Sequence, residues 1–164
     1  MKKINTLLNE MISYYSGDPN RIQHFVKVYS FAKMIGEMEC LDEELLDTLE
    51  AAAVVHDIGI KAAEEKYGSS AGKLQEQEGP ALAAEMLHKL EFDEKTVSRV
   101  AYLVGHHHTY SDIQGMDYQI LVEADFLVNL YEHGSSKEDV AEACERIFCT
   151  PSGRAVCRTM FGLD

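Results

Sequence analysis

Apolar side chains recur along this chain at intervals of three and four and almost never alternate, so the pattern predicts helices from end to end. A first helix runs roughly from Ile4 to Tyr15 and stops at Ser16-Gly17-Asp18-Pro19, whose Gly and Pro cannot continue it. The next opens near Asn20 and carries Ile22, Phe25, Val28, Tyr29, Ala32 and Ile35 on one face, with His24 on the same side. A third begins after Leu41, with Asp42 as N-cap and Glu43 and Glu44 in the first turn, where acids complement the helix dipole. It passes through Ala51-Ala52-Ala53-Val54-Val55 and delivers His56-Asp57 at its far end. Further helices are expected from about Pro80, at a first-turn position that suits proline, to Leu90, and from about Asp93 to Gly105. Two more run roughly from Tyr118 to Glu132 and from Ser136 to Phe148, with a short last one after Thr150. The run Gly68-Ser69-Ser70-Ala71-Gly72-Lys73 is the least regular and most polar stretch, either a solvated linker or a mobile lid that carries Lys73 to substrate. No repeat, low-complexity segment or linker divides the chain, so the expectation is an all-α bundle of about seven or eight helices in one domain over residues 1–164.

Composition narrows the partners. The chain has 164 residues, 46% of them hydrophobic, enough to bury one sizeable core and too few for two ordinary domains. Its formal charge of −13 opposes the phosphate attraction that nucleic-acid polymers require and leaves small ligands as the expected partners. A phosphate can still bind where cations are concentrated locally. Asn5, Asn9 and Glu10 interrupt the apolar stretch that the start Met1-Lys2-Lys3 would need to act as a secretion signal. No apolar run approaches the roughly 20 residues of a membrane span, so a cytoplasmic protein without a membrane partner is expected. The four cysteines, Cys40, Cys144, Cys149 and Cys157, form no C-x-x-C pair, and thiols are expected in a reducing compartment. Cys144, Cys149 and Cys157 have an awkward helical spacing for metal ligands.

The candidate chemistry begins at His56-Asp57. A carboxylate at the end of a buried helix must be paired or bound to a metal to offset its desolvation. On this pair alone, a frayed helix end with Asp57 as a cap is an equal alternative. His24, Asp125 and the run His106-His107-His108 also lie in or beside apolar helical stretches. Taken alone, His24 reads better as a core histidine bonded to backbone; with its partners present, ligation is the stronger reading. Two imidazoles and two carboxylates suit a first-row ion such as Mn, Fe, Co or Ni, with Mg and Zn fitting less well. Such an ion supports hydrolysis without a protein nucleophile, and no cysteine is set beside an obvious base. The string from Gly68 to Lys73 is one residue short of a P-loop, lacks Ser or Thr after Lys73 and follows no strand.

This order of a His, then His-Asp after an apolar helix, then an Asp inside a later apolar helix resembles the HD-domain superfamily of metal-dependent phosphohydrolases. The resemblance covers nearly the whole chain and extends to Phe148–Gly153, similar to the Phe-x-Thr-x-x-Gly segment of many small HD proteins, with Thr150 and Gly153 in the matching places. It implies an HD-domain helical bundle that hydrolyses a small phosphate ester or nucleotide with metal-activated water, His24, His56, Asp57 and Asp125 holding the metal. It also implies one or two ions. In two-metal relatives, extra histidines lie near His106–His108 and another ligand precedes a small-residue helix, a place held here by Glu78, so the expected second site is Glu78, His106 and His107. The alternative is that one of these histidines orients substrate or protonates the leaving group. His108 is expected to be exposed. Arg21, one turn before His24, is the candidate phosphate clamp. Many relatives carry Lys directly after His-Asp-x-Gly; here Ile60 stands there, and Lys61 and Lys73 are the further substrate candidates. Asn129, one turn beyond Asp125, is a candidate partner for it, whereas Glu64, Glu65 and Glu76 read as solvated. Two other activities stay open, a di-iron oxygenase of HD type and a ligand-binding HD module without turnover.

Overall fold

Five short polar side chains punctuate the chain. Asp18, Asp42, Asp93, Ser136 and Thr150 each accept a hydrogen bond from the backbone amide three residues on, and each opens a helix. The computed structural model describes residues 2–163; Met1 and Asp164, at the two ends of the 1–164 span, lie outside the described residues. The helices are α1 (Lys3–Tyr14), α2 (Pro19–Met38), α3 (Glu43–Val55), α4 (Gly59–Tyr67), α5 (Gly72–Lys89), α6 (Glu94–Val104), α7 (Met116–Glu132), α8 (Lys137–Arg146) and α9 (Pro151–Phe161). Among the described residues there is no strand, in keeping with the all-α expectation, and no helix is long and apolar enough to cross a membrane.

Two stretches differ from the pattern-based expectation. The segment after His56-Asp57 forms α4, and α5 begins at Gly72, so Pro80 sits inside a helix and not in its first turn. The polar run is correspondingly reduced to a turn at Gly68 (φ +66°) and three residues that follow it. Packing accounts for both differences. α5 lies against α4 on one side and α6 on the other, and Gly59 and Gly79 let the backbones approach closely. A Cβ on Gly59 would meet Gln75 O at 2.6 Å and Gly79 N at 2.8 Å. Tertiary contact thus extends the helix through a proline that local preference would place at its start.

α3 and α7 lie at the centre. From Leu49 to Val55 every apolar residue of α3 is fully buried, and α1, α2, α6 and α7 all pack on it. Each fully buried Leu or Val contributes about 1.5–3 kcal/mol relative to exposure, so the helix is held firmly up to its last residue. Beyond that residue, Tyr15 at the end of α1 donates its hydroxyl to Asp57 O (2.7 Å) and Tyr14 donates to Ile58 O (3.3 Å). These bonds clamp the His56–Ile58 turn against α1.

α7 is secured through Glu123, a fully buried carboxylate. It accepts hydrogen bonds from Cys149 N, Thr150 N, Thr150 Oγ1 and Gln119 Nε2 at 2.6–2.9 Å. Gly153 lies so close that a Cβ there would overlap Oε2 of Glu123. The Phe148–Gly153 segment therefore has a physical role: Phe148 fills the core, Thr150 both caps α9 and bonds Glu123, and Gly153 makes room.

Gly59→Ala is expected to lower the free energy of unfolding by about 1–3 kcal/mol, because the added methyl meets the α5 backbone at Gln75 and Gly79. Urea denaturation of the variant beside the wild type measures this.

Candidate metal centre

His24, His56, Asp57 and Asp125 come from three separate elements, α2, the turn after α3, and α7. The structure brings them together. His24 Nε2 lies 3.2 Å from His56 Nε2, 3.2 Å from Asp57 Oδ2 and 3.2 Å from Asp125 Oδ1. His56 Nε2 lies 3.3 Å from Asp57 Oδ2 and 3.5 Å from Asp125 Oδ1. Side-chain exposure is 0% for His56, 4% for Asp125, 11% for His24 and 16% for Asp57, so the cluster is largely shielded from solvent.

The tautomers follow from the other ring nitrogens. His56 Nδ1 is 2.7 Å from Ala53 O, and His107 Nδ1 is 2.8 Å from Val104 O. A carbonyl can only accept, so both imidazoles carry their proton on Nδ1 and turn the Nε2 lone pair inward. Each carbonyl belongs to the last turn of a helix, α3 or α6, where no amide of the same helix is available to it. His24 Nδ1 lies 2.6 Å from Glu132 Oε1 and is arranged likewise.

The centre is therefore a cluster of acceptors facing acceptors, which calls for a proton or a cation between them. Burial opposes charge on His24, but its bonds to Asp125 and Asp57 push it up to about 10. Burial likewise opposes charge on His56, and the neighbouring Asp57 and Asp125 carboxylates raise it well above the usual imidazole range. Against their own burial, Asp57 is held low by the His56 charge and by the His107, His24 and His56 rings beside it, and Asp125 by the adjoining His24 and His56 rings. A divalent ion would replace the protons. With bonds of about 2.1 Å, neighbouring ligand atoms sit about 3.0 Å apart at octahedral angles and about 3.4 Å at tetrahedral ones, which the observed spacings match. The residues present fit a metal.

A second cluster adjoins the first. Asp57, His107 and His108 bring ligand atoms within 4.8 Å of one another. His107 Nε2 lies 3.4 Å from Asp57 Oδ1 and is a buried ring nitrogen without a hydrogen-bond partner. Gln75 donates Nε2 to Ser70 O (2.6 Å), which turns its Oε1 toward His108 Nε2 (2.9 Å). His108 thus donates from Nε2 and keeps its lone pair on Nδ1. Burial, with the His107 imidazole beside it, pushes His108 down to about 4.

The second site expected at Glu78, His106 and His107 is corrected here. Glu78 instead takes Lys66 Nζ (2.7 Å) and the Tyr67 hydroxyl (2.9 Å), on the face of α5 turned to α4. His106 stacks on Tyr102 and donates Nδ1 to Tyr102 O (2.7 Å), outside the cluster. His108, expected to be exposed, takes the inward place. The turn after α6 decides this, because the Tyr118 hydroxyl shares its one proton between His106 O and Thr109 O and so holds the backbone that aims the three successive rings.

Arg21 bonds Glu64 Oε1 (2.5 Å) and lies 3.5 Å from Asp18 Oδ2. Lys61 sits over the Tyr14 ring, 5.3 Å from its centre, and Lys73 is exposed in the first turn of α5. Among the described residues neither lysine contacts the clustered ligands, and the Asn129 side chain makes no hydrogen bond to Asp125. Glu132, which sequence reasoning passed over, lies on α7 two turns beyond Asp125; that spacing of seven residues on one face was the available signal.

Comparison with known proteins agrees with the geometry. The family model described as HD domain matches residues 21–146. A crystal structure of a predicted HD superfamily hydrolase from an uncultured Thermotogales bacterium superposes with a TM-score of 0.69 at 23% identity, over 96% of this chain and 84% of that one. At that identity the likeness is one of fold. No curated protein matches the chain.

His24 has an ordinary value of 6.5 and a folded one of about 10, so its proton stabilises the metal-free fold fully below pH 6.5, and this contribution is lost as the pH rises toward 10. Chelator-treated protein is expected to lose stability over that interval, and metal-loaded protein to lose less, because the ion takes the proton's place. Denaturation midpoints at pH 6.5, 8 and 9.5, with His24→Gln as the flattened control, test this.

Proposed function

Since the chain belongs to the HD domain family, we propose that it is a metal-dependent phosphohydrolase acting on a small phosphate ester or nucleotide. The observation that carries this reading is the convergence of His24, His56, Asp57 and Asp125 at 3.2–3.5 Å with their lone pairs inward. Two nitrogens and two carboxylate oxygens favour Mn, Fe, Co or Ni over Mg or Zn. A divalent ion held there would polarise a phosphoryl oxygen and lower the pKa of a bound water toward neutrality.

The chain's own residues supply the rest. Asp57 offers Oδ2 to the first cluster and Oδ1 toward His107, and Asp57, His107 and His108 would hold a second ion where one binds. If one ion is bound, the free Nε2 of His107 is the group placed to accept a proton from the attacking water. Arg21 serves as the phosphate clamp when the substrate phosphate exchanges with Glu64 for the guanidinium. The net charge of −13 is consistent with a small substrate and not a nucleic-acid polymer.

The second cluster also favours one rival, a di-iron oxygenase, since that chemistry needs two ions side by side. Metal count and product distinguish the two. For a phosphohydrolase, protein purified without chelator carries Mn, Fe, Co or Ni and releases phosphate from a panel of phosphomonoesters and nucleotides. Asp57→Ala is expected to lose bound metal and at least about 100-fold in turnover, the scale of removing a principal electrostatic contact. Two irons without phosphate release would establish the rival, and an ion-free, inactive protein after metal addition would point to a binding module. In Arg21→Ala, metal is retained while KM rises about tenfold, the loss of one charge-assisted bond; unchanged KM would make Arg21 a scaffold residue.

A further inference from the structure

Three imidazoles turn Nε2 toward the centre, but they are held there by different partners. His56 and His107 stand just past the ends of α3 and α6 and use carbonyls of the last helical turn. His24 lies inside α2, where the carbonyls of the preceding turn are already engaged in the helix, so it has no local backbone acceptor. Its acceptor comes from another helix, Glu132 Oε1 of α7, at 2.6 Å. Lys27, one turn beyond His24, lies 3.6 Å from that same oxygen and over the neighbouring Tyr131 ring.

The position of Glu132 is costly for a helix. It is the last residue of α7, where the dipole disfavours a carboxylate and the last turn contains no basic residue, so its compensating cation, Lys27, comes from α2. Glu132 shares a face with Asp125, two turns earlier, and α2 and α7 pack together along this line. We propose that Glu132 is a positioning residue that accepts the Nδ1 proton of His24 and so presents Nε2 to the ion. This rests on the reading of His24 as a metal ligand. Its consequence is that the middle of α7 supplies a ligand, Asp125, and its C-terminal end orients a ligand on α2. Carboxylate partners of this kind fix the ring orientation and strengthen the ligand, and their removal lowers metal affinity 10–100-fold.

The test uses the full chain as wild type, Glu132→Ala, Glu132→Gln and His24→Ala, each stripped and titrated with Co(II) against a competing chelator. Nitrogen-15 NMR of the imidazoles in the Zn(II)-loaded proteins reports the tautomer. The expected result is a 10–100-fold loss of Co(II) affinity in Glu132→Ala and a smaller loss in Glu132→Gln, whose amide oxygen still accepts the proton. The His24 Nδ1–H signal should be retained in the Gln variant and shifted or lost in the Ala variant. Wild-type affinity in both Glu132 variants with an unchanged His24 tautomer would overturn the role of Glu132 while leaving the metal site intact. Wild-type affinity in His24→Ala, or no Co(II) binding by the wild type, would instead overturn the ligand reading and the inference with it. Should Glu132→Ala fail to fold, the Gln variant decides alone: weaker binding supports the role, and equal binding rejects it.

Discussion

The arrangement depends on one electrostatic constraint, that buried lone pairs cannot face one another without positive charge between them. His24, His56 and His107 point bare Nε2 atoms at the Asp57 and Asp125 carboxylates because each Nδ1 proton is already engaged. Protons can satisfy this cluster, as the raised His24 and His56 show, but only by protonating rings that burial prefers neutral. A divalent ion satisfies all the lone pairs at once. The surrounding fold is the frame that keeps these groups from relaxing apart.

That frame works through helix ends. α3 is buried along its second half, so the residues that follow it are delivered to a defined place, and the hydroxyls of Tyr14 and Tyr15 hold the turn there. α6 does the same for His107. α7 crosses the centre and is anchored by two buried carboxylates of its own. Arg99 grips Asp117 near its start at 2.7–2.8 Å, and the amides and hydroxyl of Cys149 and Thr150 hold Glu123. Both carboxylates have several charge-assisted or backbone partners, which makes their burial tolerable. Asp125 lies two residues beyond Glu123, so anchoring the one positions the other.

Much of this was legible along the chain. The 3.6-residue period marked α1, α2 and α6 closely, because each buries one stripe, and Asp42 with the apolar run that follows marked α3. α4 and the first two turns of α5 were not legible, since a short helix with glycines and many charges presents a weak stripe and the Gly59–Gly79 approach stabilises it only once the partner is in place. The order His24, His56-Asp57, Asp125 was legible as a set of ligand types beside apolar runs. The choice of His108 over His106, and the pairing of Glu132 with His24, were not.

The reason is that periodicity and residue chemistry are local, whereas ring orientation is not. Sequence alone determined that the chain is helical, that His56 and Asp57 follow a buried helix, and that four residues of metal-ligating type sit in apolar surroundings. A helix face extends over three or four residues, so this information survives without knowledge of neighbours. Which of three consecutive histidines turns inward depends on where the Tyr118 hydroxyl holds the backbone of that turn. The Nδ1 partner of His24 depends on a residue 108 positions away on a helix packed beside it. Only the tertiary structure decided these points, because each is a contact a few ångströms long between groups that the chain itself holds far apart.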